Sequence, residues 1–137
     1  MKKIIGLLAF CSAVALVSSP AHALVTVAAG GGADYTTIQA GLDAAAPGEE
    51  VQVTDQGTYA EALNVNGEVL TSVPAGATIN ADGNGAIIWG DANATIDGFN
   101  IIATANGVHI DGSPTDVQIM NCTFSCPTGV NFGAGVA

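Results

Sequence analysis

Three short segments of this chain share one pattern and are evenly spaced: residues 85–90 (GAIIWG), 107–112 (GVHIDG) and 129–134 (GVNFGA). Each opens on Gly and then alternates apolar with variable positions. A second register runs beside the first, in which Ile96, Phe99 and Ile101 recur in the same order as Ile119, Cys122 and Phe124. A unit this short cannot bury its apolar face alone and must stack on its neighbours, so self-similarity at this period predicts a solenoid. The runs are strand-length with period two, broken by Gly and Asn, and no helical period lies between them. The expected fold class is therefore all-β, a β-solenoid of about four coils.

The first residues read as an address. Lys2 and Lys3 form a charged n-region, residues 4–17 an apolar h-region, and Ala21-His22-Ala23 a small-residue cleavage site. The apolar run is too short and wrongly flanked for a membrane span. The sequence thus divides into a signal peptide at 1–23, cleaved after Ala23, and a β-helix domain at 24–137, secreted or periplasmic. Lys2 and Lys3 are the only basic residues besides two His, so the processed chain keeps all 12 carboxylates and has no Lys or Arg. Nucleic acid is excluded as a partner, because phosphate contacts need such cations. Anionic membranes and polyuronates would be repelled unless cations bridge the charges. An acidic surface also simply keeps a secreted protein soluble.

Cys122 and Cys126 remain after processing. Secretion permits a disulfide, but four residues of extended strand separate their Cα atoms by about 13 Å, beyond the limit of about 7 Å. Cys122 shares the register of Phe99, which predicts an inward thiol. Two cysteines at this spacing, without His or further Cys, make no zinc site. No metal or cofactor is expected.

Residues 24–28 (LVTVA) predict a first strand, ended by Gly30-Gly31-Gly32. Residues 36–46 predict the one helix. Thr36 with Gln39 forms a capping box, Ile38, Leu42 and Ala45 share one face, Gly41 weakens the helix by about 1 kcal/mol, and Pro47-Gly48 stops it. A solenoid end exposes open core and unpaired strand edges, and this helix is placed to be the N-terminal cap. Residues 51–53, 63–65, 69–73 and 77–79 read as strands, with 57–61 a turn segment. Asn80, Asn84, Asn93, Asn100, Asn106 and Asn121 are expected at strand ends, where Asn tolerates left-handed turns. After the strand near Phe132 no capping segment is evident, so either another chain covers the open edge or further coils follow, and a β-helix domain truncated at its C-terminus is the expected reading.

The stretches Asp34-Tyr35-Thr36-Thr37-Ile38-Gln39-Ala40-Gly41-Leu42, Val51-Gln52-Val53 and Gly57-Thr58-Tyr59-Ala60-Glu61 resemble the N-terminal region of pectinesterases and their pectin-lyase-like relatives. Residues 95–101 (TIDGFNI) and 106–110 (NGVHI) resemble the general parallel β-helix repeats of secreted bacterial proteins. The resemblance covers most of residues 25–135 and implies a right-handed parallel β-helix capped by an amphipathic helix. It does not imply one activity, because such repeats carry lyases, esterases, hydrolases, epimerases and non-enzymatic surface proteins alike. The catalytic aspartates, glutamine and substrate-binding arginine of pectinesterases belong to later coils, with no matching positions here. The resemblance to pectate lyases implies an Arg base, and the processed chain has no Arg.

Trp89, His109 and Asp111 are the candidate substrate-contact residues. With Val108 and Ile110 inward, His109 and Asp111 point outward about 7 Å apart, and a His beside a carboxylate can act as a general base. Their neighbours one coil away are Ile87 and Trp89 on one side and Asn131 and Gly133 on the other, which supply no second carboxylate, so a solvated surface pair is the plainer reading of the pattern. Trp89 beside Asp111 is able to stack on a sugar ring or to pack on a neighbouring turn. Asp82-Gly83-Asn84-Gly85 reads as a tight turn. A calcium site would need six to eight oxygens, for which Asp82, Asp91 and Asp97 would have to converge.

No catalytic residue is assigned. The sequence predicts a structural or carbohydrate-contacting module, with polysaccharide as the partner class. Two alternatives stand beside it: the N-terminal part of a carbohydrate-active enzyme whose site lies in other coils, or a surface module that self-associates through its open C-terminal coil.

Overall fold

A computed structural model describes residues 23–89 and 93–133. The segment assigned to the signal peptide, apart from Ala23 itself, lies outside the described residues, as do Asp91 and residues 134–137. Among the described residues no helix is long and apolar enough to cross a membrane.

Within the described residues, thirteen short strands and one helix follow each other along the chain. Strand β1 (Leu24–Val27) leads into α1 (Ile38–Ala44). The first full coil is β2 (Glu50–Val53), β3 (Thr58–Tyr59) and β4 (Leu63–Val65). The second is β5 (Val69–Ser72), β6 (Ala77–Ala81) and β7 (Ala86–Trp89). The third is β8 (Ala94–Asp97), β9 (Phe99–Ala103) and β10 (Asn106–Asp111). The fourth is β11 (Val117–Met120), β12 (Thr123–Ser125) and β13 (Thr128–Phe132). Stacking makes three parallel sheets, ordered β1-β2-β5-β8-β11, β3-β6-β9-β12 and β4-β7-β10-β13. The fold is the expected right-handed β-solenoid, with β1 adding a fifth rung to one sheet and bringing the winding to about five turns.

Both sequence registers are the strand pairings. Val108 lies opposite Ala86 and Val130, while Ile96 lies opposite Ile119 and Ile101 opposite Phe124. The core is accordingly a set of aligned ladders running down the axis. Val51, Leu70, Ile96 and Ile119 stack in the first sheet. Tyr59, Ile79, Ile101 and Phe124 stack in the second, and Val65, Ile88, Ile110 and Phe132 in the third. Each residue is buried except the last of its ladder.

Corners need residues the ladders do not. Gly98 (φ 86°) makes the sharp bend between β8 and β9. Asn121, the only non-Gly residue with positive φ among those described (φ 51°), occupies the same corner one coil on, its Nδ2 donating to Asp97 Oδ1 at 2.8 Å. Asn80 and Asn100 lie within β6 and β9 rather than at strand ends. At the next corner Gly85 and Gly107 admit the following coil: a Cβ on either would sit 2.6 Å from the carbonyl oxygen of the glycine below.

The helix is shorter than predicted. Its N-cap is Thr37, whose side chain makes no capping bond, so the Thr36–Gln39 capping box does not form. Gln39 is used instead to staple the helix, its Oε1 accepting the Asn64 N–H at 2.8 Å and its Nε2 donating to Asp43 at 2.7 Å. Gly41 also has a packing reason. A Cβ there would lie 2.8 Å from Val27 Cγ2 and 3.1 Å from Val51 Cγ1, so its absence lets the cap settle onto the core.

Candidate functional site: the outer face of β10 and β13

Along β10, Gly107, Val108 and Ile110 are buried while Asn106, His109 and Asp111 are half-exposed, so the alternation predicted from the sequence sets His109 and Asp111 on one outer face. The register places His109 between Ile87 on β7 and Asn131 on β13, and Asp111 opposite Trp89. The backbone of Trp89 is therefore where the sequence puts it, at the end of β7; its side chain lies outside the described residues.

The structure turns the Asn131 neighbour expected from the repeat into a hydrogen-bond partner. His109 Nδ1 lies 3.1 Å from Asn131 Oδ1 on the next coil. With that oxygen accepting, Nδ1–H is the donor in this bond. His109 and Asp111 then converge over Gly133. A Cβ at that glycine would meet Asp111 Oδ1 at 3.1 Å and His109 Cε1 at 3.4 Å. The result is a shallow strip of one imidazole, one amide and one carboxylate spanning two rungs. Such a strip offers donors and acceptors to a polar ligand lying along the sheet.

The Gly57–Glu61 stretch behind the family resemblance proves to hold the fold together. Its middle forms β3 rather than a turn alone. Tyr59 is buried, and its hydroxyl donates to Asp55 Oδ1 at 2.8 Å while accepting the Ala29 N–H at 2.9 Å. Burial and the neighbouring Asp55 carboxylate push the Tyr59 hydroxyl well above the usual phenol range. Burial acts to raise Asp55, but the Tyr59 hydroxyl and the N–H groups of Gly57 and Gly30 outweigh it and hold that carboxyl below its ordinary value. Glu61 caps the helix: Oε1 accepts the Ile38 N–H at 2.8 Å and Oε2 the Gln39 N–H at 3.0 Å.

The acidic turn is likewise bound into the stack. Asp82 Oδ1 accepts the Thr104 hydroxyl at 3.0 Å, and Asn84 Oδ1 accepts Asn106 Nδ2 at 2.8 Å. Asp82 follows β6 and Asp97 ends β8, so the two stand at different corners and do not converge. Among the described residues no three His, Cys, Asp or Glu side chains group to hold a metal ion. Cys122 and Cys126 are both free. Cys122 points inward against the core, and burial raises its thiol above the ordinary range.

No protein-family model, curated protein or solved structure matches this chain.

Proposed function

We propose that this chain is a secreted, pectin-lyase-like β-solenoid that serves as a structural, carbohydrate-contacting module and contains no complete catalytic site. The observation that carries this reading is the strip of His109, Asn131 and Asp111 on the outer face of β10 and β13, beside the position of Trp89. Parallel rungs repeat about every 4.8 Å, so side chains on successive coils can contact successive hydroxyls of an extended glycan. An aromatic at position 89 adds apolar area for a sugar ring. Without Lys or Arg in residues 24–137, neutral polysaccharides suit the surface better than polyuronates.

The test is binding of neutral and acidic oligosaccharides to the wild-type protein and to His109→Ala and Asp111→Ala, with product analysis of the same mixtures. Saturable binding of a neutral glycan, weakened about tenfold by either substitution and without turnover, is the expected result. Binding unaffected by both substitutions, or glycan cleavage, would overturn the reading.

A second reading is self-association, favoured by one observation. The inward residues of the last coil, Val117, Ile119, Phe124, Val130 and Phe132, are incompletely covered, and Phe132 is 63% exposed.

A further inference from the structure

We propose that, of the chain's three Asn-Gly pairs, the fold singles out Asn66-Gly67 as a site of spontaneous deamidation. The other two pairs are Asn84-Gly85 and Asn106-Gly107. Glycine favours this reaction because it has no side chain to hinder attack by its own nitrogen. The Gly amide nitrogen, its proton lost to water, attacks the Asn side-chain carbonyl carbon. A C–N bond forms there, the bond to the side-chain nitrogen breaks, and ammonia leaves behind a succinimide ring. Water then opens the ring at one carbonyl or the other, giving aspartate or isoaspartate. Overall one water is taken up and one ammonia released, with nothing oxidised or reduced.

The attack needs an unengaged glycine N–H and an Asn side chain able to swing onto it. Neither holds at Asn84-Gly85. The Gly85 N–H donates to the Asn106 carbonyl at 2.9 Å, and Asn84 Oδ1 accepts the Asn106 N–H at 3.2 Å and its Nδ2 at 2.8 Å. The last of these bonds also ties down the Asn106 side chain. Gly107 is buried within β10, between β7 and β13, where a Cβ would lie 2.6 Å from the Gly129 carbonyl oxygen.

Asn66-Gly67 differs on each count. It stands at the corner between β4 and β5, outside both strands. Asn66 is exposed, and among the described residues neither its side chain nor the Gly67 N–H makes a hydrogen bond. Gly67 turns the corner at φ 106°, a conformation that glycine adopts freely.

The reaction acts on a corner that joins two coils. The Gly67 carbonyl accepts the Gly48 N–H at 2.8 Å, in the turn between α1 and β2. The Asn66 N–H donates to Oε2 of the buried Glu68 at 2.7 Å. Isoaspartate routes the main chain through the former side chain, which lengthens the corner by one carbon and sets a new carboxylate two residues from Glu68. Both changes work against the bond to Gly48 and so against the seat of the capping helix.

Peptide mapping by mass spectrometry, on folded protein held in mildly alkaline solution, tests this. The same chain unfolded in denaturant is the reference, and electron-based fragmentation distinguishes isoaspartate from aspartate. Expected in the folded protein is the NH2-to-OH mass change at Asn66, with isoaspartate among the products. It should run at least about tenfold faster than at Asn84 or Asn106, where hydrogen bonds must break and a rung must open first. Unfolding should remove most of that lead, and amide exchange at Gly48 should quicken in the isoaspartate form. A smaller lead at Asn66 in the folded protein, or the same lead in the unfolded chain, would overturn the proposal. Unchanged exchange at Gly48 would overturn the link to the capping helix.

Discussion

At the scale of single residues, the polar groups of this protein act mainly as rivets between coils. Asp55 is the clearest. It gathers the Tyr59 hydroxyl at 2.8 Å and the Gly57 N–H at 3.1 Å, and through Tyr59 it reaches the Ala29 N–H. Its carboxyl is held below the ordinary value in the folded state. A depressed carboxylate contributes stability above its unfolded value of about 3.9, and that contribution fades as pH falls through the lower folded value. Asp55→Asn should therefore cost about 1 kcal/mol at neutral pH, a modest figure because solvent screens this half-exposed site. The cost should shrink as pH falls below the ordinary carboxylate value of about 3.9 toward the lower folded value, through which wild-type Asp55 loses its charge. Thermal melts of both proteins across that range check the prediction; a cost independent of pH would remove the carboxylate from the account. Tyr59 and Asp55 stand in plain view in the sequence. Their pairing does not, because it depends on which way the chain turns at Gly57.

At the scale of elements, the helix shows how so short a segment survives. Isolated helices of this length are unstable, and α1 (Ile38–Ala44) has no side-chain cap of its own. It is held by packing of Ile38, Gly41 and Leu42 on the core and by the Glu61 carboxylate at its first two N–H groups. Glu61→Ala should destabilise the protein by about 1–2 kcal/mol and speed exchange of the Ile38 and Gln39 amides, with Glu61→Gln recovering part of the loss. Equilibrium unfolding with amide exchange measures both; unchanged exchange at Ile38 and Gln39 would mean that Glu61 is not the cap. The existence of this helix and its apolar face were readable from the spacing of Ile38 and Leu42. The cap was not, because Glu61 lies far beyond Ile38 in the chain and only the winding of the first coil brings it back.

At the scale of the whole molecule, stability is distributed along one axis. Each rung contacts chiefly its neighbours, so folding free energy is close to a sum of rung and interface contributions. Among the described residues the central coils are covered on both sides, the first by α1, and the last on one side only. Native-state amide exchange in dilute protein should therefore show the strongest protection from β5 through β10, falling across β11, β12 and β13. Uniform protection to the last strand would show that the end coil is sealed in a way its burial does not reveal. The same asymmetry makes the outer strip at His109, Asn131 and Asp111 a site between a well-held rung and a loosely held one.

The sequence alone determined the architecture and the direction of each side chain along the regular coils. Alternation at period two is local chemistry: once Val108 and Ile110 turn inward, His109 and Asp111 must face out. The even spacing of the repeat then carries Val130 onto Val108 and stacks like on like. It also determined the charge distribution. Only the tertiary structure decided which other polar groups meet across coils: Tyr59 with Asp55 and Ala29, Glu61 with the helix, and the close seat of Gly41 on Val27. The physical reason is that the coils differ in length. In the first sheet Glu50 pairs with Val69, and Val69 in turn pairs with Thr95, so the second of these coils takes up distinctly more chain than the first. The corners absorb that difference, and the path of each corner decides which hydrogen-bonding atoms come within reach.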